Sequence, residues 1–121
     1  MKRLAIVAFV AVGAAQAVEP ARDFAQAERL FAAQPRTAAT DAYLNSWTDF
    51  NNAHHLDERD GCYFKADGAL VQILRIDADG KISGYFADRD NGRSQCWRQT
   101  YLGLEFPKPP FAPFYHRLEM H

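Results

Sequence analysis

Hydrophobic positions recur at helical spacing in the first half of the chain and at alternate positions in the second half. In residues 18–36, apolar side chains keep helical spacing as far as Pro35, which predicts a short helix or a loosely held arm. The following segment, 37–61, places a row of large side chains on one helical face: Tyr43, Leu44, Trp47 and Phe50. We expect that row to be core rather than a ligand-stacking surface, with Thr40 or Asp41 capping the helix.

From Ala69 onwards the hydrophobic period changes to two. The runs "LVQILRID" and "KISGYFAD" flank an Asp79-Gly80 pair, which supplies the backbone conformation of a tight hairpin turn. We therefore predict an antiparallel hairpin in which 70–77 pairs with 81–87. Gly84 lies inside the second strand and predicts a bulge there or the close approach of a side chain.

Three further signals follow the hairpin. The loop "DRDNGR" precedes a predicted helix across 94–103, with Asn91 or Ser94 as its cap. Four prolines between 107 and 113 exclude helix and central strand and favour an extended surface segment. The alternation in "FYHRLEMH" predicts a third strand, at the edge of the sheet. The order of elements predicts an α+β fold in which a small three-stranded antiparallel sheet is packed against helices.

The first 17 residues, "MKRLAIVAFVAVGAAQA", have the order of charges and apolar residues that is typical of a signal peptide. Lys2 and Arg3 precede an apolar run, and Ala15 and Ala17 have the spacing of a cleavage site. The alternative is a retained membrane anchor, but the run from Leu4 is shorter than the roughly 20 residues that cross a bilayer. The sequence therefore predicts a periplasmic or secreted protein.

The net charge of the chain excludes some classes of binding partner. Removing Lys2 and Arg3 with the leader leaves 12 of the 14 basic residues against 15 acidic ones, a net charge of −3 with histidine neutral. Nucleic acids and anionic membranes need a basic surface, so neither is expected to be the main partner. The remaining length fits one domain with a modest core.

Cys62 and Cys96 are the two cysteines of the chain. An even pair in a small exported domain predicts a disulfide, whereas a redox dithiol is usually spaced as C-x-x-C. Closing a loop of this length is expected to stabilise the fold by about 3 to 4 kcal/mol in the loop-entropy description.

The stretch "GCYFKADGALVQILRIDADGKISGYFADRDNGRSQCWRQTYLGLEFPKPP" resembles the C-terminal domain of the TonB/TolA energy-transducer superfamily, the TolA branch in particular. The resemblance covers roughly residues 38–121. It consists of a strand, a "DG" turn, a second strand, a polar loop, a short helix, an aromatic residue before "P-x-P-P", and a last strand. Cys62 and Cys96 match the positions of a cysteine pair in TolA-like domains. The departures are a longer "YFKADGAL" loop and the lack of the family's membrane anchor and periplasmic spacer.

The resemblance implies a module, here residues 37–121, that binds another cell-envelope or secreted protein without a cofactor or metal. Such domains often receive a partner strand at the sheet edge, where unpaired backbone groups are available. The implied partner-binding residues lie in the last strand: Phe114, Tyr115, Arg117 and Glu119. The alternative is that Arg117 and Glu119 only protect the edge from aggregation.

The sequence is also compatible with two other functions. A secreted inhibitor or immunity-type protein would insert a loop such as "DRDNGR" into its target. A small metal-assisted hydrolase would depend on the cluster around His54 and His55, although adjacent histidines on a helix point in different directions. Neither "DADGK" nor "DRDNGR" has the glycine and glutamate spacing of a calcium loop. We expect a binding protein rather than an enzyme.

Overall fold

The structure, a computed structural model, describes residues 20–66 and 68–121. The predicted signal peptide, 1–17, lies outside the described residues. The elements run in this order: α1 (Phe24–Ala33), α2 (Ala38–His54), 3₁₀ turns at Leu56–Glu58 and Cys62–Phe64, β1 (Leu70–Ile76), β2 (Ile82–Ala87), α3 (Gly92–Tyr101) and β3 (Phe114–Met120). None of the helices within the described ranges has the length and hydropathy of a membrane-spanning segment.

The first helix, α1, begins at a clear capping residue and packs onto the sheet. The Asp23 side chain accepts a hydrogen bond from the Gln26 backbone, and the helix ends at Gln34. Gln34 precedes Pro35, and a residue before proline disfavours helical backbone geometry. Ala27 is completely buried on the sheet side of the helix. Of the two structures predicted for 18–36, a short helix is therefore the observed one.

The second helix, α2, starts slightly earlier than the sequence pattern indicated. Its cap is Thr37, whose hydroxyl accepts a hydrogen bond from the Thr40 backbone while the Thr40 hydroxyl accepts one from the Thr37 backbone. The predicted caps, Thr40 and Asp41, lie inside the first turn. Tyr43 and Trp47 are buried, which confirms that the aromatic face is core.

The predicted hairpin is present, with a turn at Asp77–Lys81. The Gly80 backbone N–H donates to the carbonyl of Asp77, and Gly80 has φ +91°, a conformation that a side chain disfavours. The register places Arg75 opposite Gly84 and Ile76 opposite Ile82, so the extra residue forms the bulge that was predicted. A Cβ atom on Gly84 would lie 3.0 Å from the guanidinium carbon of Arg75, so the close approach is also observed.

The sheet has the strand order β2-β1-β3, with both pairs antiparallel, which confirms the predicted α+β fold and the edge position of the last strand. The third helix, α3, is capped by Asn91 together with Ser94 and begins at Gly92, two residues before the predicted start. The predicted disulfide joins Cys62 and Cys96, with a Cα–Cα distance of 5.6 Å. It ties the segment before β1 to α3.

Helices cover both faces of the sheet and create two separate cores. The larger core lies between the sheet and helices α2 and α3, and its members include Tyr43, Trp47, Leu74, Ile76, Trp97, Tyr101 and Phe114. The smaller core lies under α1 and contains Ala21, Ala27, Ile73 and Tyr115. Each large apolar side chain that is fully buried contributes about 1.5 to 3 kcal/mol. The packing therefore fixes β3 firmly on both of its faces while leaving one of its long sides at the margin of the sheet.

Candidate functional site

The side of β3 that faces away from β1 is the candidate site, and backbone alternation defines which residues form it. Val71 of β1 uses its N–H and C=O on the β2 side, where they bond with Asp88. Because successive residues of a strand point their backbone groups in opposite directions, the neighbours of Val71 face β3 instead. Directly opposed residues of an antiparallel pair either bond to each other or both point away from each other. Glu119 lies opposite Val71 in the register, so its N–H and C=O point away from β1.

The same alternation applies along the whole strand. Three residues of β3 direct their backbone N–H and C=O away from the sheet: Tyr115, Arg117 and Glu119. We call this set of backbone groups the outer edge of β3. The intervening residues, such as His116 and Leu118, use their backbone groups in the ladder with β1. An unpaired row of this kind is a template for an additional strand.

A glutamine side chain already occupies one position of the outer edge. The Tyr115 N–H donates to Oε1 of Gln34 at 2.6 Å, and Nε2 of Gln34 donates to the Tyr115 carbonyl at 2.9 Å. A carboxamide has the same donor and acceptor pair as a peptide group, so Gln34 makes the two bonds that a neighbouring strand would make. The outer edge is therefore closed at Tyr115 and continues at Arg117 and Glu119.

The charged side chains of the outer edge form a small ion-pair network with α1. The Arg117 guanidinium donates to the Glu28 carboxylate at 2.7 Å and to the Glu119 carboxylate at 2.8 Å. These hydrogen bonds, with Glu28 the larger influence, raise the pKa of Arg117 above its ordinary value. Arg117 is therefore a permanent cation, and the two acidic partners hold it on the α1 face of the sheet.

A cleft opens beside the start of the outer edge. It has a volume of about 260 Å³ and lies next to Gln34 and Tyr115. Its other lining residues are small or apolar: Leu30, Ala33, Pro35, Ala112 and Pro113. In strand addition, backbone bonds supply much of the affinity and pockets for side chains supply selectivity. The cleft is placed where it would receive one apolar side chain of an incoming segment.

The predicted partner-binding residues differ in what they present. The Phe114 side chain is 1% exposed and packs against the ring of Tyr43 in the larger core, with a 5.0 Å centroid separation. The Tyr115 ring is also buried, and its hydroxyl accepts a hydrogen bond from the Ala21 backbone. Arg117 is partly exposed and Glu119 is exposed. Side-chain recognition at this strand is therefore limited to Arg117 and Glu119, while Tyr115 contributes backbone groups.

The proline-rich segment leads into β3 and is attached to α2 at its start. Phe106, just before the prolines, stacks on Trp47 with ring centroids 4.4 Å apart, and the Pro107 carbonyl accepts a hydrogen bond from the Tyr43 hydroxyl at 2.8 Å. These contacts anchor the beginning of the segment to α2. Lys108 and Pro110 are exposed further along it.

The histidine cluster does not assemble. His55 bonds through Nδ1 to Glu58 at 2.9 Å, and both groups are exposed, while His54 stacks on Phe50. His116 lies elsewhere, with its ring edge against Trp47, and burial lowers the pKa of His116 to about 4. Within residues 20–66 and 68–121, no group of three or more histidine, cysteine or acidic side chains is placed to hold a metal ion.

The "DRDNGR" loop is largely occupied by structural contacts. Asp88 accepts a hydrogen bond from the Val71 backbone, and Asn91 caps α3. Arg93 is buried and donates to the backbone carbonyls of Gly68 and His121. Asp88, Arg89 and Asp90 are exposed and are the part of the loop that faces solvent.

Comparisons with protein-family models, with curated proteins and with solved structures give no match to this chain. The resemblance to the TonB/TolA C-terminal domain therefore rests on the sequence pattern described above.

Proposed function

We propose that this chain is an exported protein-binding module that engages another cell-envelope or secreted protein by receiving its strand at the outer edge of β3. The observation that carries the proposal is the Gln34 carboxamide, which makes both backbone bonds of a strand at Tyr115. Arg117 and Glu119 repeat the same backbone orientation beyond it. Export is supported by the signal-like residues 1–17 and by the disulfide between Cys62 and Cys96.

The second support is the rigidity of the strand that offers the edge. Helices pack on both faces of β3, and Phe114 and Tyr115 are nearly completely buried. A preorganised edge loses little conformational entropy when a second strand docks, which favours binding. The charge pair at Arg117 and Glu119 then selects among incoming strands through cross-strand contacts.

Site-specific photocrosslinking in the cell envelope tests the proposal. A photoreactive residue at Arg117 or Glu119 is expected to give adducts with one other protein, whereas the same probe at Gln99, an exposed residue of α3, is expected to give none. Equal adducts at Gln99, or none at either strand position, would count against strand addition.

A backbone variant separates edge pairing from simple side-chain contact. Glu119→Pro removes one outward N–H without removing a bond to β1, because that N–H points away from the sheet. We expect this variant to lose most of the adducts formed from Arg117. Glu119→Ala, the matched control, removes the carboxylate but keeps the N–H, and we expect it to retain more of them.

A further inference from the structure

The charges on the outer edge of β3 are arranged so that the edge complements itself. Arg117 and Glu119 are two residues apart, so their side chains lie on the same face of the sheet. Their backbone groups both point outward. Proline, a bulge or charged side chains, lysine above all, usually protect an edge against association. Here the two exposed positions carry opposite charges.

An antiparallel second copy brings these charges together. If two β3 strands pair about Leu118, Arg117 of each copy lies opposite Glu119 of the other. Both residues direct their backbone groups outward, so each opposed pair exchanges two N–H···O=C bonds. Opposed residues in an antiparallel pair share a face, so each guanidinium also meets a carboxylate of the other copy.

We propose that the outer edge of β3 pairs with the outer edge of β3 of a second copy of this chain, antiparallel about Leu118, so that two three-stranded sheets form one six-stranded sheet. The pairing of two copies rests on one premise of the proposed function, namely that the backbone groups of Arg117 and Glu119 are open. The second copy covers the edge reversibly and competes with any other strand for the same groups.

Gln34 and Glu28 are compatible with this pairing. In this register Tyr115 lies opposite His121 of the second copy. Because Gln34 already occupies the Tyr115 N–H and C=O, and Arg93 donates to the His121 carbonyl, the backbone pairing is confined to Arg117, Leu118 and Glu119. Glu28 contacts Arg117 from α1, above the sheet, and does not occupy the backbone groups of the outer edge. The pairing keeps the Gln34 and Glu28 contacts and exchanges the Arg117–Glu119 ion pair within each copy for ion pairs between the copies.

Charge reversal tests the register directly. The protein, with its disulfide intact, is studied by sedimentation equilibrium over a range of concentrations. Arg117→Glu alone and Glu119→Arg alone each place like charges opposite one another, and we expect either change to weaken self-association by about tenfold or more. The double variant R117E/E119R restores both opposite pairs and is expected to recover association.

A mixture of the two single variants gives the sharpest result. One copy then carries two acidic residues and the other two basic residues, so the mixed dimer has two complementary pairs while each separate dimer has none. We expect association on mixing that neither variant shows alone. Arg117→Glu puts a second carboxylate beside Glu28, so thermal unfolding of each variant is needed to check that it is folded. Comparing self-association of Glu119→Pro with that of Glu119→Ala gives an independent test in which Arg117 is unchanged.

A monomer at all concentrations, or a dimer that ignores the charge reversals and Glu119→Pro, overturns the pairing. These outcomes are distinguishable from failure of the proposed function. Photocrosslinks from Arg117 to a different protein in a chain that is always monomeric would leave the binding function standing. Crosslinks from Arg117 only to a second copy would support the pairing and remove the other partner.

Discussion

The two outer margins of the sheet are closed in different ways. At the start of β2, the chain itself supplies a neighbour: the Ile82 N–H donates to the Leu104 carbonyl at 2.8 Å, and the Phe106 N–H donates to the Gly80 carbonyl at 2.9 Å. Along β3, one side chain, Gln34, covers one residue. The start of β2 is closed by backbone and cannot be opened without unfolding a segment, whereas Tyr115 of β3 is closed by a single side chain.

The difference also appears in what each margin requires of the sequence. The backbone of Phe106 approaches Gly80 so closely that a Cβ atom on Gly80 would lie 1.9 Å from the Phe106 carbonyl oxygen. The β2 margin therefore depends on the absence of a side chain. The outer edge of β3 depends on polar and charged side chains, which tolerate change. We expect substitutions at the first margin to affect stability and those at the second to affect association.

The largest expected effect is Gly80→Ala. The variant combines a left-handed backbone with a steric clash against Phe106, and we expect it to lower the free energy of unfolding by about 4 kcal/mol. Gly103→Ala is the control, because Gly103 also has φ +91° but has open space around its Cβ position; its expected cost is about 1 kcal/mol. Urea unfolding measures both changes in stability. Equal losses would show that the Phe106 backbone does not lie as close to Gly80 as the structure indicates.

The second effect is acid destabilisation through His116, which holds β3 against the larger core. Burial lowers the pKa of His116 to about 4, from an ordinary 6.5. Between those values the unfolded chain binds the proton more readily, so stability falls as the pH drops from about 6.5 to about 4, by about 3 kcal/mol in total. Thermal unfolding against pH measures the loss.

Two substitutions control the acid prediction. His116→Phe keeps an aromatic ring beside Trp47 and removes the titration, so much of the loss in that pH range should disappear. His54→Gln changes an exposed histidine and should leave the loss in place. An unchanged pH profile in His116→Phe would contradict the assignment.

The third effect concerns the side chain that closes Tyr115. Gln34→Ala removes both bonds to the Tyr115 backbone and is expected to lower stability by about 1 kcal/mol. It should also speed exchange of the Tyr115 amide hydrogen, as measured by nuclear magnetic resonance. Gln34→Glu keeps an acceptor for that N–H but loses the donor, so we expect faster exchange in Gln34→Ala than in Gln34→Glu. Unchanged exchange in Gln34→Ala would mean that the carboxamide does not close the edge.

The smallest expected effect is at the ion pair between Glu28 and Arg117. Both side chains are partly exposed, so a double-mutant cycle of Glu28→Gln and Arg117→Gln should give a coupling of about 0.5 kcal/mol that weakens in salt. A coupling of several kcal/mol would instead make this pair a main stabiliser of β3 and contradict the view that the outer edge tolerates change.

Local signals in the sequence were sufficient for most of the fold. The turn at Gly80, the bulge at Gly84 and the cap at Asn91 each depend on a few neighbouring residues. The α2 cap was placed one turn too late because Thr37 and Thr40 bear the same hydroxyl and cap one another reciprocally. Short-range chemistry identifies the elements, although it does not always select between adjacent residues of the same type.

The candidate site was only partly predictable. The alternation of residues predicted β3 and assigned Phe114 and Tyr115 to opposite faces of the sheet. It does not show that helices cover both faces and bury both side chains. Gln34 gave no signal, since a single glutamine has no period and its contact with Tyr115 spans 81 residues of chain. Such a pairing depends on how α1 packs on the sheet, which is a property of the assembled fold.

Residue-resolved amide hydrogen exchange along β3, in dilute protein, shows whether the outer edge is open. We expect alternation, with fast exchange at Arg117 and Glu119, slow exchange at His116 and Leu118, and slow exchange at Ile82 on the opposite margin. Exchange at Arg117 and Glu119 as slow as at Leu118 would show that the outer edge of β3 is already covered and cannot receive a strand.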